Sequence, residues 1–191
     1  MTRQRKTGMI VAIGLALFAL VVVLPDLYAG LNAAAPDPDT EAKLSAIGHK
    51  INPVPLRHRP AELKQIIGLG SYIVNTGGCN DCHTNPSYVE GGDPFLGQPE
   101  QVNVEGFLAG GQQFGPFTSR NLTPDENGLP AGLTFAGFRK TLRTGIDSKA
   151  AHPQFGPLLQ VMPWPVFGKK TDRELFAVYQ YLKSIPSVPS P

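Results

Sequence analysis

Both cysteines of this 191-residue chain fall in the stretch GGCNDCHTNP, as Cys79 and Cys82, and His83 follows directly. Two thiols and an imidazole at C-x-x-C-H spacing suit covalent haem attachment. The thiols add to the two vinyl groups on one edge of a porphyrin, and the adjacent histidine is carried under the iron as an axial ligand. Rival uses of the pair each lack something. A zinc site needs a fourth ligand, commonly from a second Cys or His pair, and no other cysteine exists. A redox-active dithiol opens a helix inside an alternating strand and helix pattern, whereas this motif trails a helical stretch in a strand-poor sequence. A disulfide between cysteines so close closes too short a loop to stabilise much. The residues therefore point to one haem.

A six-coordinate iron needs a ligand opposite His83. The chain has three methionines, and Met1 and Met9 belong to an apolar N-terminal run, which leaves Met162 in LLQVMPWPVFGKK. Pro163 and Pro165 stiffen that loop by fixing φ and removing amide donors. A loop methionine also serves as a gap-filling apolar side chain. This one stands just ahead of the last helical stretch, where a thioether would meet the iron. The alternative sixth ligand is His152, in AAHPQFGP, since paired histidines also ligate haem iron. His49 and His58 lie in a spacer and read as solvated. An open iron would instead suit a peroxidase-like enzyme or a gas sensor, and a bound Met162 argues against both.

Three helical stretches are expected to position these groups. In AELKQIIGLGSYIVNTGGC, Leu63, Ile66, Ile67, Gly70, Ile73 and Val74 recur at spacings of three and four, so a helix runs into the cysteine motif. Gly70 lets another backbone approach closely. In LTFAGFRKTLRTG, Thr134 caps a helix, Phe135, Phe138 and Leu142 share a face, and Gly145 ends it. In KTDRELFAVYQYLKSIP, Thr171 and Glu174 have capping-box spacing, Leu175, Val178, Tyr179 and Leu182 form a stripe, and Pro186 follows the end. All three stripes are also ordinary core faces. Few strands are expected beyond a short hairpin arm over residues 102–108.

The N-terminus suggests an address. Arg3, Arg5 and Lys6 precede the uncharged run TGMIVAIGLALFALVVVLP, as in an export signal or a short membrane anchor. The apolar core from Met9 to Leu24 is longer than most signal cores and shorter than the roughly 20 residues that cross hydrocarbon. Candidate cleavage sites put Leu27 or Leu31 where small residues are preferred, or leave Pro36 as the new N-terminus, which favours an anchor. Those three basic residues account for the formal charge of +2: of 17 basic residues, the 14 that remain face 15 acidic ones. That balance shows no footprint for nucleic acid. With 19 prolines and 21 glycines, connections are long and turn-rich. The segment PDPDTEAKLSAIGHKINPVPLRHRP lacks a sustained apolar period and reads as a spacer with one short helical turn. The chain thus divides into a signal or anchor over 1–28, a proline-rich linker over 29–60, a folded domain over 61–186 and a flexible tail over 187–191.

The pieces GLGSYIVNTGGCNDCHT, GGQQFGPFTSRNLTPDENGL, FRKTLRTG and MPWPVFGKKTDRELFAVYQYLKSIP resemble class I c-type cytochromes. Within that family they are most similar to the mono-haem modules found with bacterial membrane-bound dehydrogenases. The resemblance spans residues 67–186. It implies an all-α cytochrome c fold with long loops around one covalent haem c, preceded by an N-terminal hydrophobic helix. It also implies haem attachment by Cys79 and Cys82 and axial ligation by His83 and Met162. Gly70 and Tyr72 are similar to family positions where the first helix crosses the last, near Tyr179 and Leu182. Asn121 and Trp164 resemble residues at the haem pocket edge, and both equally suit a turn and a packing role. The implied function is transfer of single electrons between redox partners, on the periplasmic side of a bacterial inner membrane, in a respiratory or dehydrogenase chain. It implies no catalysis by the chain itself. Leu133 stands where the family usually has an aromatic, and a single C-x-x-C-H excludes multi-haem relatives.

Overall fold

The computed structural model describes residues 37–57, 60–147, 149 and 152–191. The apolar N-terminal run and His58 lie outside them. Among the described residues no helix is long and apolar enough to cross a membrane. The molecule is helix-rich, with one small antiparallel hairpin. In chain order it has helices α1 (Pro38–Ile51), α2 (Lys64–Thr76) and α3 (Cys79–His83), strands β1 (Gln113–Phe114) and β2 (Phe117–Thr118), and helices α4 (Phe135–Thr144), α5 (Trp164–Phe167) and α6 (Asp172–Ser184).

Helix α2 carries the expected stripe, with Ile66, Ile67, Ile73 and Val74 all buried. Its Gly70 touches α6 so closely that a Cβ there would lie 1.9 Å from the Ala177 carbonyl oxygen and 2.8 Å from Tyr181 Cβ. The crossing was expected at Gly70, and the α6 atoms nearest that position belong to Ala177 and Tyr181. Tyr179 turns toward α4, packing its ring on Phe135 and Phe138 at 5.5 and 5.6 Å. Its hydroxyl donates to the Leu133 carbonyl at 3.0 Å. Helix α6 is buried on more than one side, so a single stripe could not say which face met which neighbour.

Both expected caps are present. Thr134 accepts from the Gly137 amide, and Gly145 ends α4 at φ 70°. Thr171 and Glu174 form the full capping box of α6.

The spacer reading of the segment before residue 61 gives way to a 14-residue helix, α1. Asp37 caps it through the Thr40 amide at 3.1 Å. Its buried residues are Glu41, Ser45 and Gly48. A Cβ on Gly48 would lie 1.9 Å from the Gly68 carbonyl oxygen, so α1 and α2 touch backbone to backbone. Ser71 Oγ donates to the Gly48 carbonyl at 2.7 Å across the same contact. At the other end Glu41, 1 % exposed, holds Arg173 of α6 through two bonds of 2.6 and 2.8 Å and accepts from Gln65 at 3.1 Å. Small and polar groups make this interface, so no apolar period announces it.

Residues 102–108 form no hairpin. Val102 bridges Tyr88 instead, and the only paired strands among the described residues are β1 and β2. The tail after Pro186 is strapped down. Val188 N donates to Thr123 Oγ1 at 3.1 Å, its carbonyl accepts from Asn121 Nδ2 at 2.7 Å, and Ser187 Oγ donates to the Pro124 carbonyl at 2.6 Å.

Candidate functional site

Gly78 turns the chain between α2 and α3 at φ 71°, a left-handed conformation that costs residues bearing a Cβ. Helix α3 then sets Cys79, Cys82 and His83 into the wall of a cavity of about 450 Å³, within the usual range for cofactor sites. The three helices expected from sequence enclose it, with Ile73 and Val74 from α2, Phe138 and Leu142 from α4, and Leu175 and Val178 from α6. Met162 lines the same cavity and packs against the core. His152 reaches it as well. The His152 ring clusters at a tilt with Phe117 and Phe155, at centroid distances of 5.0 and 4.9 Å, and its Nδ1 accepts from the Gln154 amide at 3.1 Å.

His83 is held at both ends. Its carbonyl accepts from Gly110 N at 2.7 Å, and its Nδ1 lies 2.7 Å from the Arg120 carbonyl oxygen. A carbonyl only accepts, so Nδ1 carries the proton and Nε2 keeps its lone pair free. Burial, helped by the nearby Arg120 charge, holds the imidazole below its usual pKa despite that hydrogen bond. The ring is therefore neutral with a defined tautomer, the form in which an imidazole binds a metal.

The thiols lack the depressed pKa of a redox-active pair. Burial pushes the Cys79 thiol up to about 11, partly offset by Lys170. Burial and then the Asp81 carboxylate raise Cys82. Catalytic dithiols need the opposite, a depressed pKa that supplies thiolate. Among the described residues no three His, Cys, Asp or Glu side chains gather to bind a metal ion.

Asn121 and Trp164 stand outside the cavity wall. Asn121 Oδ1 accepts from Thr123 N and Oγ1 at 2.8 and 2.7 Å, while Nδ2 donates to Val188 and Ser190. Trp164 covers Gly145, where a Cβ would lie 2.4 Å from its ring. Both thus act in the turn and packing roles that their types equally allowed. His49 bonds the Lys64 carbonyl at 3.0 Å and so helps join α1 to α2.

Sequence reasoning missed Arg120. The residue lines the cavity, its carbonyl orients His83, and its guanidinium pairs with buried Asp147 at 2.8 Å. A backbone carbonyl leaves no mark in residue type, so only the charged pair had any signal.

With this geometry in place, similarity to known proteins becomes informative. The chain is 27% identical over 116 residues to the gluconate 2-dehydrogenase cytochrome c subunit of Pantoea cypripedii, covering 61% of this chain and 22% of that one. It is 28% identical over 128 residues to the cytochrome c subunit of alcohol dehydrogenase (quinone) from Gluconacetobacter polyoxogenes, covering 66% and 23%. The chain is a relative of dehydrogenase cytochrome c subunits. A further match, 31% over 115 residues, is to a nicotinate dehydrogenase subunit from Pseudomonas putida, covering 60% of this chain and 8% of that one. The chain thus spans less than a quarter of the length of these relatives. No protein-family model and no solved structure matches the chain. The helix-rich fold agrees with the kinship to cytochrome c.

Proposed function

We propose that the chain is an exported mono-haem c-type cytochrome that carries single electrons between redox partners in a dehydrogenase or respiratory chain, without catalysing substrate chemistry itself. One observation carries the reading: Met162, some eighty residues beyond the Cys79, Cys82 and His83 motif, lines the same cavity as those three among core side chains. The donor set fits haem c, with two thiols on one helix turn, a neutral imidazole beside them and a thioether from another loop. Bound haem supplies a one-electron iron couple. Cys79 and Cys82 would hold it covalently. His83 would hold the iron through Nε2, with the Arg120 carbonyl fixing the ring, and Met162 would hold it through its sulfur. The walls from α2, α4 and α6 exclude water, so little would reorganise when the charge changes.

The relatives' names support assembly with a dehydrogenase, as donor or acceptor of electrons. The basic-then-apolar N-terminal stretch supports export to the periplasmic side of an inner membrane, as a cleaved signal or a retained anchor. His152 lines the cavity too, which supports paired-histidine ligation as the second reading.

The test is retention. Denatured mature protein should keep one haem per chain through acidified organic extraction, and Cys79→Ala with Cys82→Ala should lose it. Extractable haem, or bound zinc, would overturn the proposal.

A further inference from the structure

Cys79, Cys82 and His83 line the cavity while Asn80 and Asp81, between them, do not. That outer side of α3 is gripped by the loop that follows. Asn80 Nδ2 donates to the Ser87 carbonyl at 3.3 Å, Ser87 Oγ to the Asp81 carbonyl at 3.2 Å, and Tyr88 Oη to Asp81 Oδ1 at 2.6 Å. From this mount residues 88–100 project outward as a braced arm. Its neck is closed by Val89 N to the Gln101 carbonyl at 3.0 Å and by Gln101 N to the Gly92 carbonyl at 2.9 Å. At the tip Asp93 caps a short 3-10 turn, Pro94–Leu96, through the Phe95 amide at 2.8 Å. The Tyr88 ring stands edge-on to Phe95 at 6.3 Å.

That turn leaves Phe95 79 % and Leu96 73 % exposed, the two most exposed large hydrophobic side chains among the described residues. An arm this firmly tied, presenting an aromatic and a leucine to water, has the form of an anchor for a pocket on another molecule. Its charge narrows the choice. Residues 88–100 contain Glu90, Asp93 and Glu100 and no Lys or Arg. Bilayer surfaces are anionic and favour tips rich in Lys and Arg, so this one would be repelled by lipid. Acidic groups around apolar anchors complement a basic rim around an apolar socket.

We propose that residues 88–100 are a docking arm for a partner protein that offers an apolar socket ringed by Lys and Arg. Taken with the electron-transfer reading, on which this part rests, the partner is a redox protein. Mounting on Asp81 then sets its seat relative to the turn bearing Cys82 and His83.

The test places a photo-crosslinking benzoylphenylalanine at position 95 or, separately, 96 in the full chain, in membranes of its own organism. Both positions should join the same redox polypeptide, through a peptide with Lys or Arg beside apolar residues. Combining Glu90→Lys with Glu100→Lys should cut the yield about tenfold, and roughly 0.5 M salt should do likewise by shortening the screening length to a few Å. Adducts to lipid, to a second copy or to the chain's own residues 1–36 would overturn the proposal, as would an absent adduct or a yield indifferent to charge reversal. Haem absorbance of the same samples separates the failures. Normal absorbance without the adduct sinks the arm alone, and absent haem with the basic-socket adduct sinks only the electron-transfer reading.

Discussion

His83 Nδ1 donates to the carbonyl oxygen of Arg120 over 2.7 Å, so a backbone position rather than a side chain aims the imidazole. The next residue, Asn121, ties that backbone to Val188 of the C-terminal tail. Asn121→Ala, or a chain ending at Pro186, should lower stability by about 1–2 kcal/mol in denaturant titrations. In the haem-loaded protein either change should also shift the His83 ring-proton resonances. Unmoved resonances would leave the tail no part in aiming the ligand.

Met162 faces the same cavity as His83. If its sulfur binds iron, the oxidised protein should show a weak long-wavelength sulfur-to-iron band that vanishes in Met162→Ala, and the reduced variant should bind carbon monoxide readily. A band that survives the substitution rejects Met162, and a wild-type spectrum that lacks the band but changes in His152→Ala assigns the position to His152.

The α2–α6 crossing leaves no room for a methyl group at Gly70, where a Cβ would come within 1.9 Å of the Ala177 carbonyl oxygen. Gly70→Ala should therefore cost about 3 kcal/mol by overpacking, read as a lower thermal midpoint. Gly91→Ala meets no atom within 4 Å and strains only its left-handed backbone, so its cost should stay near 1 kcal/mol.

Glu41→Ala deprives Arg173 of a buried carboxylate, a change that costs about 3–5 kcal/mol when one member of such a pair is removed. Glu41→Leu combined with Arg173→Met should recover most of that loss. A Glu41→Ala protein as stable as the parent would show that α1 is not held by this pair.

Alkali should unfold the protein through Tyr181. Burial pushes its hydroxyl up to about 12 from 10. A phenol whose folded pKa is raised contributes stability that is fully present below the unfolded value and lost as pH rises through the folded one. The loss should run from about pH 10 to 12 and reach roughly 2–3 kcal/mol. Tyr181→Phe should be less stable at neutral pH, lacking the bond to Asn52 at 2.8 Å, yet flatter across that window.

What could be read from sequence follows from how each element is held. Helices α4 and α6 announce themselves because Thr134, Gly145, Thr171 and Glu174 do local work visible in residue type, and apolar stripes mark their buried faces. Cys79, Cys82, His83 and Met162 could be picked out because each type suits a particular bond, and the structure sets all four on one cavity. Helix α1 was not, because Gly48, Ser45 and Glu41 bury by closeness and charge pairing rather than by apolar periodicity. The Arg120 carbonyl was invisible for a similar reason, since any residue supplies one. Asn121 and Trp164 were noticed, but each holds a neighbouring turn rather than lining the cavity.

Because α1 begins at Pro38 and is fastened to α6 by Glu41 and Arg173, the length of any leash changes. A chain free as far as residue 60 would let a body held at residue 28 wander across a wide hemisphere. Only residues 29–36 lie between the expected signal or anchor segment, 1–28, and Asp37, the cap of α1. Fully extended, eight residues reach about 28 Å. If the first 28 residues stay in a membrane, the body would patrol a shell little deeper than its own diameter, and partners would have to present their redox centres close to the lipid surface.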